Sequence, residues 1–367
     1  MTRLDPALET KLSNFADALI DQQVARVIVE PLDQGEGFWF GGGNMQVDTN
    51  GDLLVVGRFR NHGDSRTGLS AGTRGLELAV FRSTDAGQTF RKDLSFAKSD
   101  LNVDDKQVIS IEGSALRVSD GVVELFVSTE KTGIAYPDHL ADFLKPDTGV
   151  WTVDHLKAES LSGLKDAAIE TIVGCRDPRY LHVKDPFLYE STDGLVLGMC
   201  THPFGWTSSN MAVSRCRQDG SFERPDFACF PRGTTWDVAM SRGTAFLDVP
   251  KLGQFTDASV TLLFYDGGES LRMLDEHSSA VKRPRGYSCE ELGGVAYFVD
   301  GDLSNIHRLS KELPAFISPN GTGCSRYVDV LNTSIGIWAT WQQSQSDCSQ
   351  PLVAHFVTNE AAGELLS

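Results

Sequence analysis

Long apolar runs are missing from this chain of 367 residues. No segment approaches the roughly 20 consecutive apolar residues that a membrane-spanning helix needs. The opening Met1-Thr2-Arg3-Leu4-Asp5 is polar and leads into no apolar stretch of the kind a secretory signal carries. A cytoplasmic protein with no membrane partner is the expectation. Basic residues are also scarce: 33 Lys and Arg face 50 Asp and Glu, for a formal charge of -17. Holding a nucleic-acid backbone requires clustered Lys and Arg, and no such run is present, which excludes nucleic acid as a partner.

The seven cysteines, at positions 175, 200, 216, 229, 289, 324 and 348, show no Cys-x-x-Cys spacing. An odd, scattered set supports neither a zinc site nor a disulfide framework. A Gly-rich phosphate loop, a His-Glu-x-x-His helix and a Gly-x-Ser-x-Gly elbow are all missing, which removes most nucleotide enzymes, zincins and serine hydrolases. Asp300-Gly301-Asp302 is too sparse for a calcium loop. Neither a metal nor a cofactor is expected.

Turn chemistry and short apolar strands are what the chain has in plenty, with 35 Gly, 20 Phe and a hydrophobic content of 41%. An amphipathic helix is predicted over Pro6 to Gln22, after which strand-length runs follow one another between Gly, Asp, Asn and Ser turns. They group into five sets, beginning at Asn44, Val108, Leu181, Val238 and Cys324, and the early run Val24 to Val29 can join the last set as its outer strand. A shared phrase of inner strand, turn and second apolar strand recurs at Asn44 to Leu54, Ala115 to Val123 and Pro186 to Val196. Its turns, Asn50-Gly51-Asp52, Asp120-Gly121 and Asp193-Gly194, fall at matching places. The pattern predicts an all-β fold, a five-bladed β-propeller closed by pairing one terminus with the other, with six blades as the alternative. Residues 1–22 then form a helical extension and 23–360 a single propeller domain. The stretch 131–174 breaks the rhythm and is expected to be an insertion on one face.

Ser83-Thr84-Asp85-Ala86-Gly87-Gln88-Thr89-Phe90 follows the strand-like run Leu76 to Arg82. It resembles the Asp box of sialidase-like propellers, in which Asp and Thr side chains bond the backbone of a tight hairpin and Gly takes a positive φ. Such a box builds scaffold and leaves the chemistry to be found elsewhere.

In a propeller the residues just before each inner apolar run face the central funnel. Those positions are Asn44, Glu112, Asp185, Arg242 and Arg326. Glycoside hydrolysis uses two carboxyl groups about 5–9.5 Å apart, one to protonate the leaving oxygen and one to activate water or attack carbon; Glu112 and Asp185 are the candidate pair. The context Lys184-Asp185-Pro186-Phe187 resembles the Asp-Pro-Phe phrase of five-bladed glycosidases of the arabinanase, xylosidase and invertase type. Arg176-Asp177-Pro178 is a rival, ranked lower because no apolar strand follows it directly. A second resemblance, to sialidases, rests on Gly51 to Arg58, His62-Gly63-Asp64 and Gly286-Tyr287-Ser288-Cys289. It implies Asp64 as acid/base and Tyr287 as nucleophile assisted by Glu290 or Glu291, although Gly43-Asn44-Met45 stands where the sialidase Arg-Ile-Pro phrase would be.

Around these acids, Arg58, Arg242 and Arg326 suit an acidic sugar, or each neutralises a neighbouring carboxylate. Glu291, His202 and Trp206 complete the expected substrate pocket, with His62, Trp39 and Trp236 as further polar and stacking candidates. The functional expectation is an exo-acting glycoside hydrolase taking an oligosaccharide or polysaccharide-derived substrate. A non-catalytic glycan- or protein-binding propeller and a glycoside phosphorylase are the alternatives.

Overall fold

A computed structural model describes residues 3–61, 73–143, 148–174, 177, 182–202, 208–269 and 291–367. The chain opens with α1 (Pro6–Leu19), whose Asp5 cap accepts the Ala7 and Leu8 N–H groups at 2.9 and 3.0 Å. Leu12, Phe15, Ala16 and Leu19 recur at helical spacing and turn one face of α1 into the protein.

The strands that follow are β1 (Arg26–Val29), β2 (Trp39–Gly41), β3 (Met45–Val47), β4 (Leu53–Asn61), β5 (Thr73–Ser83), β6 (Arg91–Ala97), β7 (Val108–Ser119), β8 (Val122–Lys131), β9 (Val150–Ala158) and β10 (Ile169–Val173). Beyond them come β11 (Lys184–Ser191), β12 (Gly194–Thr201), β13 (Asn210–Arg215), β14 (Met240–Asp248), β15 (Val260–Gly268), β16 (Leu292–Val299), β17 (His307–Arg308), β18 (Ser325–Thr333), β19 (Gly336–Gln343) and β20 (Leu352–Thr358), before a closing helix α2 (Asn359–Leu366). Among the described residues they form five antiparallel sheets: β2/β3 to β6, β7 to β10, β11 to β13, β14 to β17, and β18 to β20 with β1 at the outer edge. This is a five-bladed propeller. The six-bladed alternative does not hold.

Closure of the ring is built from both ends of the chain, because β1 pairs with β20 through Arg26 to Ala354 and Val27 to Val353. α1 and α2 pack with the apolar faces of the fourth and fifth blades in one core cluster that includes Phe15, Leu366, Phe264 and Trp341. Among the described residues, no helix is long and apolar enough to cross a membrane.

The turn from Ser83 to Phe90 joins β5 to β6 and is held by side-chain bonds, with the Thr89 hydroxyl on the Asp85 carboxylate rather than on the backbone. Asp85 accepts the Thr89 N–H at 2.9 Å and its hydroxyl at 2.6 Å, Ser83 Oγ accepts the Gly87 N–H, and Gly87 has φ +82°. Those bonds, from Thr89 above all, hold the Asp85 carboxyl down to about 2. The stretch 131–174 differs from its expected role as an insertion, since β9 and β10 lie within it and complete the second blade.

A cross-strand cluster fixes that blade: Glu124 on β8 meets Arg117 of β7 at 2.6 Å and His155 of β9 at 3.1 Å. The His155 bond, with Arg117, outweighs burial and lowers the Glu124 carboxyl to about 2. A depressed carboxyl contributes stability that is present above its unfolded range, near 4.5, and is lost as pH falls toward 2. Glu124→Gln is therefore expected to cost about 1–3 kcal/mol at pH 7 and progressively less below pH 4 in urea denaturation.

Candidate active site

Each inner strand is interrupted near the same end of the ring. Register shifts occur in β7 between Ile111 and Ser114, in β11 between Lys184 and Phe187, in β14 between Gly243 and Ala245, and in β18 between Arg326 and Asp329. In the first blade the inner strand is split, with Gly42-Gly43-Asn44 between β2 and β3. A bulge leaves a residue outside the ladder and re-aims its side chain. Here the interruptions present Glu112, Asp185 and Tyr327 to one another. Asp185 and Tyr327 take φ of +50° and +53°, left-handed backbone that costs about 1–3 kcal/mol for residues with a side chain.

Arg58 is the hub. It lies on β4, the second strand of its blade rather than the inner one, opposite Gly41. Its Nη2 is 3.6 Å from Glu112 Oε2 and 3.7 Å from Asp185 Oδ1, and donates to the Tyr327 hydroxyl at 3.1 Å. Nη1 donates to the Gly41 carbonyl at 3.3 Å. The guanidinium faces the rings of Trp39 and Tyr327 at 4.7 and 5.2 Å. Two carboxylate oxygens within those distances of one nitrogen are separated by no more than the sum of the two, which is below the upper limit of the span that a glycosidase pair occupies.

Asp185 collects donors on both oxygens. Oδ1 accepts the Gly113 N–H at 3.0 Å, while Oδ2 faces the Cys200 thiol at 3.4 Å and the Tyr327 hydroxyl at 3.5 Å. Its own N–H donates to Ser128 Oγ at 3.1 Å. Glu112 Oε1 accepts from the Ser110 hydroxyl at 2.9 Å and from Trp151 Nε1 at 3.4 Å. Burial, and then the Asp185 charge, push the Tyr327 phenol up, so it stays a neutral donor.

A second cluster adjoins the first. Glu291 accepts Arg242 Nη1 on one oxygen and Arg326 Nη1 on the other, each at 2.5 Å, and all three side chains are buried. Burial works to raise the Glu291 carboxyl, but Arg326 and Arg242 together hold it below the ordinary range. Asp266, on β15 and 1% exposed, shows the opposite balance: burial first, and the Glu291 charge second, push it well above the carboxylate range. Both Asp266 oxygens face the Tyr327 N–H, at 3.0 and 3.2 Å. Asp185, Arg242, Asp266 and Tyr327 line one recess with Gly42 and Asn44.

Six of the residues singled out from sequence meet in these two clusters: Asp185 and Glu112 with Arg58, and Arg242 and Arg326 with Glu291. Others take different places. Asn44 gives its amide to the main chain of the next blade, donating to the Leu116 carbonyl at 2.8 Å and accepting the Leu116 N–H at 2.7 Å. His202 is buried with Nδ1 3.1 Å from the Ser208 carbonyl, and burial, then Arg242, drive its pKa well below the usual value. Trp39 lies between Arg58 and Arg326, whereas Trp236 donates to the Ser310 carbonyl inside its blade. Asp177, the rival to Asp185, pairs with the exposed Arg224 at 2.6 Å. Asp64, Tyr287, Trp206, His62 and Glu290 lie outside the described residues.

Tyr327 and Asp266 were not anticipated. Tyr327 directly follows the Arg326 picked out from sequence, and Asp266 ends the apolar run Val260 to Tyr265, a polar break that was the available signal.

Gly42 holds the narrowest approach to the hub. A Cβ there would stand 1.7 Å from Arg58 Nη1, and the backbone has φ +71°. Gly42→Ala is expected to cost about 1–3 kcal/mol and to displace Arg58. A thermal melt reads the first effect and a crystal structure the second.

No protein-family model and no curated protein matches the chain. Solved structures do. It is similar to a glycoside hydrolase at TM-score 0.65 and 11% identity, covering 96% of each chain. It is similar to an alpha-L-arabinofuranosidase from Lactobacillus brevis at TM-score 0.57 and 9% identity over 93% of each chain. A beta-1,2-mannobiose phosphorylase from Listeria innocua gives TM-score 0.55 and 12% identity, over 92% of this chain and 95% of that one. At these identities the likeness establishes the fold, a five-bladed propeller of the kind that glycoside hydrolases use.

Proposed function

We propose that this protein is an exo-acting glycoside hydrolase whose paired carboxylates are Glu112 and Asp185. The observation that carries the reading is their convergence on one buried guanidinium nitrogen, Arg58 Nη2, at 3.6 and 3.7 Å. Asp185, ringed by hydrogen-bond donors, suits the unprotonated partner that activates water or attacks the anomeric carbon. Glu112 is then the group that delivers a proton to the leaving oxygen. Similarity to solved glycoside hydrolases supports the class of reaction, as an analogy of fold.

The substrate in this reading is the end of a neutral oligosaccharide. Among the described residues each funnel arginine already faces a carboxylate, Arg58 those of Glu112 and Asp185, and Arg242 and Arg326 that of Glu291. An acidic sugar would have to displace one of these pairings.

The test is release of sugar from a panel of neutral and acidic aryl glycosides and oligosaccharides, with and without phosphate, by the wild type and by Glu112→Gln. Hydrolysis that the substitution abolishes supports the reading. Turnover that depends on phosphate makes the protein a phosphorylase on the same scaffold, and activity untouched by Glu112→Gln moves the acid elsewhere. A glycan that binds without being cleaved leaves the binding propeller.

A further inference from the structure

We propose that Tyr327 and Asp266 form a brace that positions Asp185, with Asp266 acting through the backbone of Tyr327 and Tyr327 through its hydroxyl. The inference rests on Asp185 being one of the reacting carboxylates. Its geometry runs as one chain of contacts across three blades. Asp266 on β15 accepts the Tyr327 N–H with both oxygens in reach, at 3.0 and 3.2 Å. That bond sits where β18 is bulged and Tyr327 has φ +53°, a conformation a tyrosine keeps only where its surroundings over-determine it. The side chain then spans the recess. Its hydroxyl accepts from Arg58 Nη2 at 3.1 Å and is 3.5 Å from Asp185 Oδ2, while its ring is held between Arg58 and Arg326, 5.2 and 5.3 Å from the guanidinium carbons.

Asp185 needs such a brace because its own backbone is strained, at φ +50°. Gly113 fixes one carboxylate oxygen from the second blade at 3.0 Å. On the other oxygen the Cys200 thiol, a weak donor at 3.4 Å, leaves the phenol as the stronger partner. Burial, and then the Glu291 charge, hold the Asp266 carboxyl well above the usual range against the pull of Arg242 and Arg326, and a protonated carboxyl can still accept the Tyr327 N–H through its carbonyl oxygen. The bond therefore does not require Asp266 to be ionised. An asparagine, which keeps one acceptor oxygen, should serve in its place.

The test uses Tyr327→Phe, Asp266→Leu and Asp266→Asn in the full chain. A displacement near 1 Å at a reacting group costs on the order of 10²-fold, so Tyr327→Phe and Asp266→Leu should each lower kcat by about that factor, with KM changed less than about threefold. Asp266→Asn should stay within about threefold of the wild type, and combining Asp266→Leu with Tyr327→Phe should add little to either alone. Unchanged kcat in Tyr327→Phe, equal losses in Asp266→Asn and Asp266→Leu, or losses that multiply in the double variant would each overturn the brace. Crystal structures of Tyr327→Phe and Asp266→Leu decide the matter without turnover. An Asp185 carboxylate swung away from the Gly113 N–H upholds the brace even where no glycoside is cleaved, in which case the hydrolase reading alone has failed; a carboxylate still in place overturns the brace.

Discussion

Asp185→Asn should lower kcat/KM by about 10²–10⁴-fold, the range over which a positioned acid or base accelerates proton transfer, and should do so with little change in stability. The side chains are nearly the same size, and the asparagine oxygen can still accept the Gly113 N–H that Asp185 holds at 3.0 Å. Asparagine is also one of the few residues that tolerate a left-handed backbone, which this position requires at φ +50°. What is lost is the negative charge facing Arg58 Nη2 at 3.7 Å and with it the capacity to activate water or attack carbon. Steady-state kinetics beside a thermal melt separates the two effects. A melt near that of the wild type with activity gone is the expected outcome, whereas retained activity would remove Asp185 from the chemistry.

How far the site could be read from sequence follows from how its residues are displayed. Asp185 and Glu112 lie within inner strands, ahead of the apolar runs that begin at Pro186 and Ala115, so the expectation that such positions open on the funnel reaches them without knowledge of the bulges. Tyr327 escapes the same logic. Alternation along a strand has period two, and a bulge that inserts a residue reverses which side chains face the axis beyond it; choosing Arg326 from sequence left its neighbour unread. Arg58 is legible as a funnel residue but not as one from the second strand of its blade, because the inner strand there is split around Gly42-Gly43-Asn44 and leaves room for a long side chain from behind. Asp266 is hidden for another reason. Its raised carboxyl follows from burial first and second from the charge of Glu291, which is 25 positions away in sequence, and no local pattern encodes such a like-charge pair.

The fold was more legible than the site, since blades repeat. Strand-length runs between turns are regular enough to count five sets, three of which share the phrase of strand, Asn-Gly or Asp-Gly turn and strand, and β1 with β20 makes the terminal pairing that a closed ring demands. The failures are local. β10 carries the burial pattern of an edge strand, exposed in its middle at Glu170 and Thr171, and reads as loop. α2 is 8 residues long and includes Gly363, too short and too poor in propensity to announce itself.

Glu291 is where the largest loss of stability is expected. Its carboxylate is the shared counter-charge of Arg242 and Arg326, and all three side chains are buried. Removing one partner of a buried ion pair leaves the other uncompensated and typically costs about 3–5 kcal/mol, so Glu291→Ala should lose that much in urea denaturation at pH 7. Glu291→Gln should lose less, because its amide oxygen can still accept from an arginine, and Asp266 offers a further reserve. Burial, and then the charge on Glu291, keep the Asp266 carboxyl well above its usual range. Once that charge is gone, Asp266 ionises more readily and can answer the arginines in its place. Asp266→Asn in the Glu291→Gln background withdraws this reserve, and the double variant should lose more than the two single losses combined, by about 1–3 kcal/mol of coupling. Additive losses would mean that Asp266 and Glu291 titrate independently. A loss below about 1 kcal/mol in Glu291→Ala would mean that water from the recess hydrates the arginines as well as the carboxylate does.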